Sequence, residues 1–341
     1  MQQMILGRTK IKVSRCGFGA LPIQRVPMNE AIYILHKALD NGINFYDTAR
    51  SYTDSEEKLG RAFAKRRREI ILATKSGAAD GATLLKQLEQ SLRCLRTDYV
   101  DILQLHNPKD QLPQPGGKDG LYDALVEARD KGLTRFIGIT NHCLPIAKEA
   151  VLSGWYDTVQ FPLNSLSSPA DLELIPLCAE RGIGLIAMKA LSGGLITNAA
   201  AAFAFLRQYD NVLPIWGIQR EEELDEFLAL EQNPPPLNDA MMAVIEKDRA
   251  ELAGDFCRAC GYCQPCPVGI PIPMAARMEL LLHRMPYRQF LTDKWREDME
   301  KIEDCLDCGQ CRSRCPYGLE VPELLKRMLT AYRRFCAAIE G

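Results

Sequence analysis

Nowhere in this 341-residue chain do about 18 apolar residues run together, so no segment is expected to span a bilayer. Its first ten residues, MQQMILGRTK, lack the long apolar stretch of a secretory signal, and the expected location is the cytoplasm, where thiols stay reduced. There is no excess of charge either: 42 basic against 44 acidic residues leave a net −2, so neither nucleic acid nor a membrane surface is an expected partner. The local cluster Lys65-Arg66-Arg67-Arg68 reads as the solvated end of a helix. Also missing is the G-x-G-x-x-G fingerprint of an open dinucleotide-binding sheet. Gly17-Phe18-Gly19 has no third glycine at the required offset and reads instead as a tight strand end.

What the chain does have is an ordinary globular composition, 47% hydrophobic and 25% charged, enough for a sizeable core. From residue 11 to about 230 strand-like runs alternate with helical stretches. The strand candidates are CGFGAL, INFYD, EIILATK, VDILQLH, TRFIGIT, DTVQFPL, IGLIAMK and VLPIWG. Between them lie amphipathic segments such as NEAIYILHKALDNG, ATLLKQLEQSLRCLR and DLELIPLCAERG, several ending at glycine. Eight such units predict an α/β fold, a (β/α)8 TIM barrel with parallel strands and crossover helices, in preference to an open doubly wound sheet. An N-terminal hairpin, MILGRTKIKVS, is placed at the lower end of the barrel. The expected domains are a barrel over 1–231, a proline-rich linker over 232–238 (QNPPPLN) and a smaller, mostly helical domain over 239–341.

Eight of the 13 cysteines lie in that last domain, in two runs: CRACGYCQPCP from Cys257 and CLDCGQCRSRCP from Cys305. The other five, Cys16, Cys94, Cys143, Cys178 and Cys336, are scattered and read as small buried hydrophobes. Disulfides are disfavoured in a large cytosolic chain. Zinc usually takes two pairs separated by a dozen or more residues. Four soft thiolates stepping by three suit the corners of an iron–sulfur cubane better. The second run is C-x2-C-x2-C-x3-C-P, a bacterial ferredoxin spacing, and the first departs from it by one residue. With 38 helix-patterned residues between the runs, the region resembles a helical ferredoxin module with two [4Fe–4S] clusters. In two-cluster ferredoxins the fourth cysteine of each run serves the other cluster. That resemblance implies one set of Cys257, Cys260, Cys263 and Cys315 and another of Cys305, Cys308, Cys311 and Cys266.

In a (β/α)8 barrel the working residues stand at the C-terminal ends of the strands. Reading those positions gives Asp47, with Tyr52 five residues on, then Lys75, His106, Asn141 and Gln160. Singly each has a structural explanation. Together an acid, a tyrosine, a lysine and a histidine make a device for protonating an oxygen. A free phenol, with a pKa of about 10, is a poor acid–base group near neutrality. A neighbouring ammonium is expected to lower that value, with a carboxylate holding the ammonium in place and a histidine orienting the substrate oxygen. Such a set suits proton transfer to a carbonyl as hydride arrives from a cofactor.

These motifs, DTARSY within D-T-A-x-x-Y-x-x-S-E-x-x-L-G, ATKSG, LQLH, GITN and VQF, resemble the aldo-keto reductase family over residues 4 to about 230. The resemblance implies a nicotinamide-dependent oxidoreductase interconverting carbonyl and alcohol, with Asp47, Tyr52, Lys75 and His106 as its catalytic tetrad. It implies that Asn141 and Gln160 hydrogen-bond the nicotinamide carboxamide and that Met188 packs against the ring. Lys189, Arg220 and Glu226 complete the implied cofactor set. Three departures stand out: Lys189-Ala190-Leu191-Ser192-Gly193-Gly194 where many members carry serine-proline-leucine, Phe227 where an asparagine often helps, and no counterpart to the long C-terminal loop of many members. Arg220 favours a 2′-phosphate and Glu221, Glu222 and Glu223 oppose one, so both NADPH and NADH stay open. The clusters have two readings, electron transfer to an external carrier or structural support. A non-catalytic nicotinamide-binding redox sensor or electron-carrier subunit is the alternative to an enzyme.

Overall fold

The structure, a computed structural model, describes residues 1–109, 111–252 and 256–340. It divides into two units, Met1–Ala190 with Ala199–Met241, and Leu191–Asn198 with Met242–Gly341. Among the described residues no helix is long and apolar enough to cross a membrane.

In the first unit an antiparallel pair, β1 (Gln3–Ile5) and β2 (Lys12–Ser14), precedes eight parallel strands. These are β3 (Gly17–Gly19), β4 (Phe45–Asp47), β5 (Ile71–Ser76), β6 (Val100–His106), β7 (Thr134–Thr140), β8 (Thr158–Pro162), β9 (Gly184–Met188) and β10 (Val212–Gly217). They run in order around a closed barrel in which β10 pairs with β3. The (β/α)8 architecture expected from the alternating pattern is the one observed. Among the described residues the strands are accompanied by α1 (Met28–Asp40), α2 (Ser55–Phe63), α3 (Gly81–Leu95), α4 (Leu121–Asp130), α5 (Leu144–Ser153), α6 (Pro169–Leu172), α7 (Leu174–Arg181), α8 (Ala199–Arg207) and α9 (Glu221–Gln232). The segment DLELIPLCAERG, read as one helix, is split between α6 and α7. Pro176 explains the break, because its ring lacks an N–H and would clash with the carbonyl four residues back.

Strand side chains alternate between the barrel interior and the helices. Phe45, Ala73, Ile102, Ile186 and Leu213 form one inward layer, and Met4, Leu6, Ile11 and Val13 of the hairpin region pack into the same cluster. Two residues further along β4, β5 and β6 on that inward face stand Asp47, Lys75 and Gln104, and His106 follows Gln104 at the same spacing. The apolar layer is thus the floor on which the polar set stands. Arg8, in the turn between β1 and β2, ties the hairpin to the barrel through Asp157 and through the Gly154 and Tyr156 carbonyls.

The second unit is helical: α10 (Asp239–Glu251, which straddles the division), α11 (Ile272–Ala275), α12 (Met278–Arg284), α13 (Asp293–Glu300), α14 (Gln310–Ser313) and α15 (Val321–Glu340). Helices α11, α12 and α13 pack on α15 through buried Ile272, Leu281, Met299, Leu325 and Leu329, and the Tyr332 hydroxyl donates to the Phe290 carbonyl at 2.8 Å. Residues 234–238, around the three prolines, carry no helix or strand. Segment Leu191–Asn198 groups with this unit although it follows β9 in sequence. Its Ser192 and Leu195 carbonyls accept from the Arg277 and Arg284 guanidiniums, contacts that no reading of strand periodicity reveals.

Candidate functional site

Asp47, Lys75 and His106 stand at or next to the C-terminal ends of adjacent strands, and Tyr52 lies in the loop that follows β4. The Lys75 ammonium, buried completely, donates to Asp47 Oδ2 at 2.5 Å and to the Thr48 carbonyl at 2.7 Å. The same ammonium lies 5.2 Å from the centre of the Tyr52 ring. That ring meets the His106 imidazole edge-on with centroids 5.7 Å apart, so the structure brings the four residues into one cluster.

Burial alone would lower Lys75, but Asp47 and Tyr52 outweigh it and hold the ammonium above its ordinary value. For Tyr52 the net direction differs from the sequence expectation. Burial pushes the phenol above its ordinary value, and Lys75 pulls it only part of the way back. The phenol is therefore protonated at neutral pH, the form a proton donor needs. Burial, helped by the Lys75 charge, lowers His106 to about 3, so its imidazole is neutral.

This depressed value carries a sign for stability. An unfolded histidine titrates near 6.5, so below that pH the unfolded chain takes up a proton that folded His106 refuses. The stabilising contribution is complete above about 6.5 and is lost as pH falls toward about 3. Thermal melts from pH 7 down to pH 4 should show a falling midpoint, and His106→Asn should flatten part of that slope.

The rest of the D-T-A-x-x-Y-x-x-S-E-x-x-L-G motif builds the support. Thr48 and Ser55 share a 2.9 Å hydroxyl contact, and Ser55 also donates to the Ala20 carbonyl at 2.8 Å. Buried Glu56 accepts from Thr74 at 2.7 Å and pairs with Arg50. At Gly60 a Cβ would stand 2.1 Å from the Cys94 carbonyl, so helices α2 and α3 approach too closely there for any side chain.

Gln104 is a member of the set that the sequence reading missed. Its Nε2 donates to Asp47 Oδ1 at 3.3 Å and to Gln160 Oε1 at 3.0 Å, linking the lysine–aspartate pair to Gln160. The signal was present: a single amide in the otherwise apolar run ILQL, one inward step before His106. Room for it comes from Gly138, where a Cβ would meet Thr158 Oγ1 at 2.2 Å and the Gln104 Cγ at 3.2 Å. Gly138→Ala should cost about 1–3 kcal/mol in denaturant unfolding.

The remaining candidate cofactor residues are placed as follows. Asn141 follows β7, with its Nδ2 donating to the Pro108 carbonyl at 2.9 Å and its Oδ1 accepting from Cys143 N at 2.7 Å. Gln160 lies inside β8, Met188 ends β9 in the barrel core, and the Lys189 carbonyl accepts from Asn164 at 2.9 Å. Arg220 is paired with Glu223 at 2.8 Å in the first turn of α9, and Glu226 is exposed on that helix. Phe227 instead is buried, stacked on Trp216 at 4.4 Å. Gln104 Oε1 and Thr140 Oγ1 are buried without a hydrogen-bond partner among the described residues. Both belong to strands adjoining this set, so the barrel offers unused polar atoms to a planar polar ligand such as a carboxamide. A pocket of about 440 Å³ opens beside His106, walled by Ser76, Asn107, Lys109, Gln111 and Asp119 among others.

In the second unit one cavity is walled by Cys257, Cys260, Cys263 and Cys315 and another by Cys263, Cys266, Cys305, Cys308 and Cys311. Cys315 is thus brought to the first run and Cys266 to the second. Burial, helped by Cys257 and Cys260, pushes the Cys263 thiol up to about 12, so a thiolate there needs a cation beside it. The loops are shaped for sulfur. Ala259 and Gly261 in one run and Asp307 and Gly309 in the other have positive φ, turning successive N–H groups inward as in anion-binding nests. The Ala259 N–H donates to Cys257 Sγ at 3.3 Å. The donor set, all thiols in two nested loops, fits iron–sulfur clusters. A second unread signal lies here: CPVGIPIP and CPYGLEVP repeat one pattern, each with a positive-φ glycine three residues before a helix that has proline in its first turn.

Residues 15–204 match the aldo/keto reductase family, and residues 256–320 match a 4Fe-4S dicluster domain. The chain belongs to the aldo/keto reductase family. Its reductase barrel is followed by an iron–sulfur domain. L-galactose dehydrogenase of Arabidopsis thaliana is 34% identical over 216 residues, 57% of this chain and 66% of that enzyme. An uncharacterized oxidoreductase of Bacillus subtilis, YrpG, is 30% identical over 59% of this chain and 69% of its own length. The chain thus spans about two thirds of these relatives. Among solved structures, the holo form of aldo-keto reductase AKR11C1 from Bacillus halodurans shares the fold, with a TM-score of 0.64 and 23% identity over 73% of this chain and 96% of that one. A thermostable aldo-keto reductase, Tm1743 with the inhibitor epalrestat, aligns with a TM-score of 0.61 and 25% identity over 73% and 100%.

Proposed function

We propose that this reductase interconverts an aldehyde or ketone with the corresponding alcohol at the expense of NADPH or NADH, and that its C-terminal domain holds two [4Fe–4S] clusters. The observation that carries the reading is the buried Lys75–Asp47 pair set against a protonated Tyr52 and a neutral His106. When bound, the nicotinamide supplies the hydride, which no side chain can. Tyr52 donates its phenolic proton to the carbonyl oxygen, and the Lys75 ammonium stabilises the phenolate left behind. Asp47 keeps that ammonium charged and oriented. Neutral His106 offers one ring N–H to the same oxygen and fixes its position. Asn141 and Gln160 would hold the carboxamide, Met188 would pack on the ring, and Lys189, Arg220 and Glu226 would meet the rest of the dinucleotide. Cys257, Cys260, Cys263 and Cys315 would ligate one cluster and Cys266, Cys305, Cys308 and Cys311 the other, and an external electron carrier is the partner that conducting clusters require.

The test uses anaerobically purified protein with iron and sulfide counted, assayed with NADPH and NADH against small aldehydes, ketones and methylglyoxal, and with NADP⁺ and NAD⁺ against L-galactose. Turnover with any of them supports the carbonyl reaction, and cofactor binding without turnover across the panel would favour the sensor reading. Zinc in place of iron would overturn the cluster assignment. Bleaching of the clusters by a nicotinamide alone would separate a conducting role from structural support.

A further inference from the structure

Among the described residues Arg277 is a buried cation with no carboxylate paired to it. It is 5% exposed, and its hydrogen-bond partners are neutral: Nε donates to the Pro273 carbonyl at 3.2 Å, Nη1 to the Ser192 carbonyl at 3.5 Å, and Nη2 lies 3.6 Å from Met274 Sδ. A guanidinium buried this way is costly unless negative charge stands near it. Its neighbours at other positions solve that problem differently. Arg284 also donates to a carbonyl of Leu191–Asn198 but is paired with Asp248 and Glu251, and Arg258 lies over the Phe256 and Tyr317 rings at 4.7 Å and 4.6 Å.

The ionisable side chain whose charge acts on Arg277 is Cys257. The preceding residue, Ala276, is part of the wall of the cavity formed by Cys257, Cys260, Cys263 and Cys315. No basic side chain lines the other cavity, where Asp307 lies instead and Cys308 is exposed. At the second run the charges of Cys305 and Asp307 act on Lys326, but that side chain is exposed to water, whereas the cation at the first run is buried.

We propose that Arg277 is the counter-charge of the cluster ligated by Cys257, Cys260, Cys263 and Cys315, a positioning residue that raises the reduction potential of this cluster and not of its neighbour. Four thiolates around an iron–sulfur core leave net negative charge, which compensates the buried guanidinium. Reduction adds one more negative charge, and a fixed cation beside it favours that state. In a titration the electron comes from dithionite, and no bond to the protein forms or breaks. The hydrogen bond to the Ser192 carbonyl helps to hold the guanidinium in place.

This inference rests on reading the cysteines as cluster ligands, and the two fail separately. An iron count near zero sinks the ligand reading before any potential is measured. The experiment is a dithionite titration followed by electron paramagnetic resonance on full-length wild type, Arg277→Gln and Arg277→Lys, with Cys260→Ser identifying the first cluster's signal. Arg277→Gln should move that signal to a lower potential while the other stays, and Arg277→Lys should restore it. Unchanged potentials in Arg277→Gln, or an equal shift of both clusters, would overturn the proposal. Should Arg277→Gln lose the first cluster altogether, retention of its iron in Arg277→Lys would support a need for positive charge. Loss in both variants would assign Arg277 to packing and overturn the electrostatic role.

Discussion

Tyr52→Phe is expected to cut carbonyl reduction by about 10²–10⁴-fold, the usual worth of a positioned general acid, while leaving nicotinamide binding intact. The phenylalanine keeps the ring that packs edge-on against His106 and removes only the proton donor. Cofactor titration by fluorescence quenching and steady-state rates on the same preparation separate the two effects. A variant that keeps full turnover would remove Tyr52 from the chemistry. The pH profile supplies an independent check. Burial holds the phenol above its ordinary value, so it keeps its proton throughout the neutral range. His106, lowered to about 3, does not titrate there either. Between pH 6 and 9 the chemical step should therefore be nearly level. A limb near 6.5, the ordinary histidine value, would mean that His106 changes charge in the working enzyme.

The second large effect is on the fold. Asp47→Asn should destabilise the barrel by about 3–5 kcal/mol, because removing one partner strands the other charge in a dry interior. The side chains of Lys75 and Asp47 are 0% and 3% exposed. The Thr48 carbonyl alone cannot neutralise the ammonium, which then gives up its proton or is buried unpaired. Denaturant unfolding measures the loss. The double variant Asp47→Asn, Lys75→Met should recover much of it, since no charge is left without a partner. If the double variant is as unstable as the sum of the singles, the pair is not what holds this end of the barrel together. Asp47→Asn should also lose turnover, through the misplaced ammonium.

The same buried pair marks how far the sequence could be read. Asp47, Lys75 and His106 were legible because they end runs of apolar residues, and a charged group there has to face the barrel mouth. The strands themselves were legible for the same reason: both sides are covered, so each is a short apolar run. Gln104 obeyed the inward spacing and could have been found, since an amide within DILQL has to be satisfied inside the barrel. Other features depend on where one element meets another. In sequence Arg220 and the three glutamates after it left a 2′-phosphate open, and only the helix beginning at Glu221 selects Glu223 as the one that pairs with the guanidinium. The protonation of Tyr52 depends on how deeply its loop is buried. That Lys75 lies nearby was readable, but not that burial would outweigh it. Leu191–Asn198 belongs by contacts to the second unit because two arginines about 85 residues away reach its carbonyls, a pairing with no local signature.

The interleaving of the two cysteine runs has a consequence for how the protein is made. Under the ligand sets proposed above, the first cavity is not closed by its own three thiols until Cys315 has been synthesised, and the second needs Cys266 to wait for Cys305, Cys308 and Cys311. On a ribosome the complete barrel would already be outside the exit tunnel while every cysteine set was still short of a ligand. Iron delivery is then a late event for both sites, and a chain truncated after Ser313 would carry a complete second set, Cys266, Cys305, Cys308 and Cys311, beside a first set that lacks Cys315 and cannot close as designed.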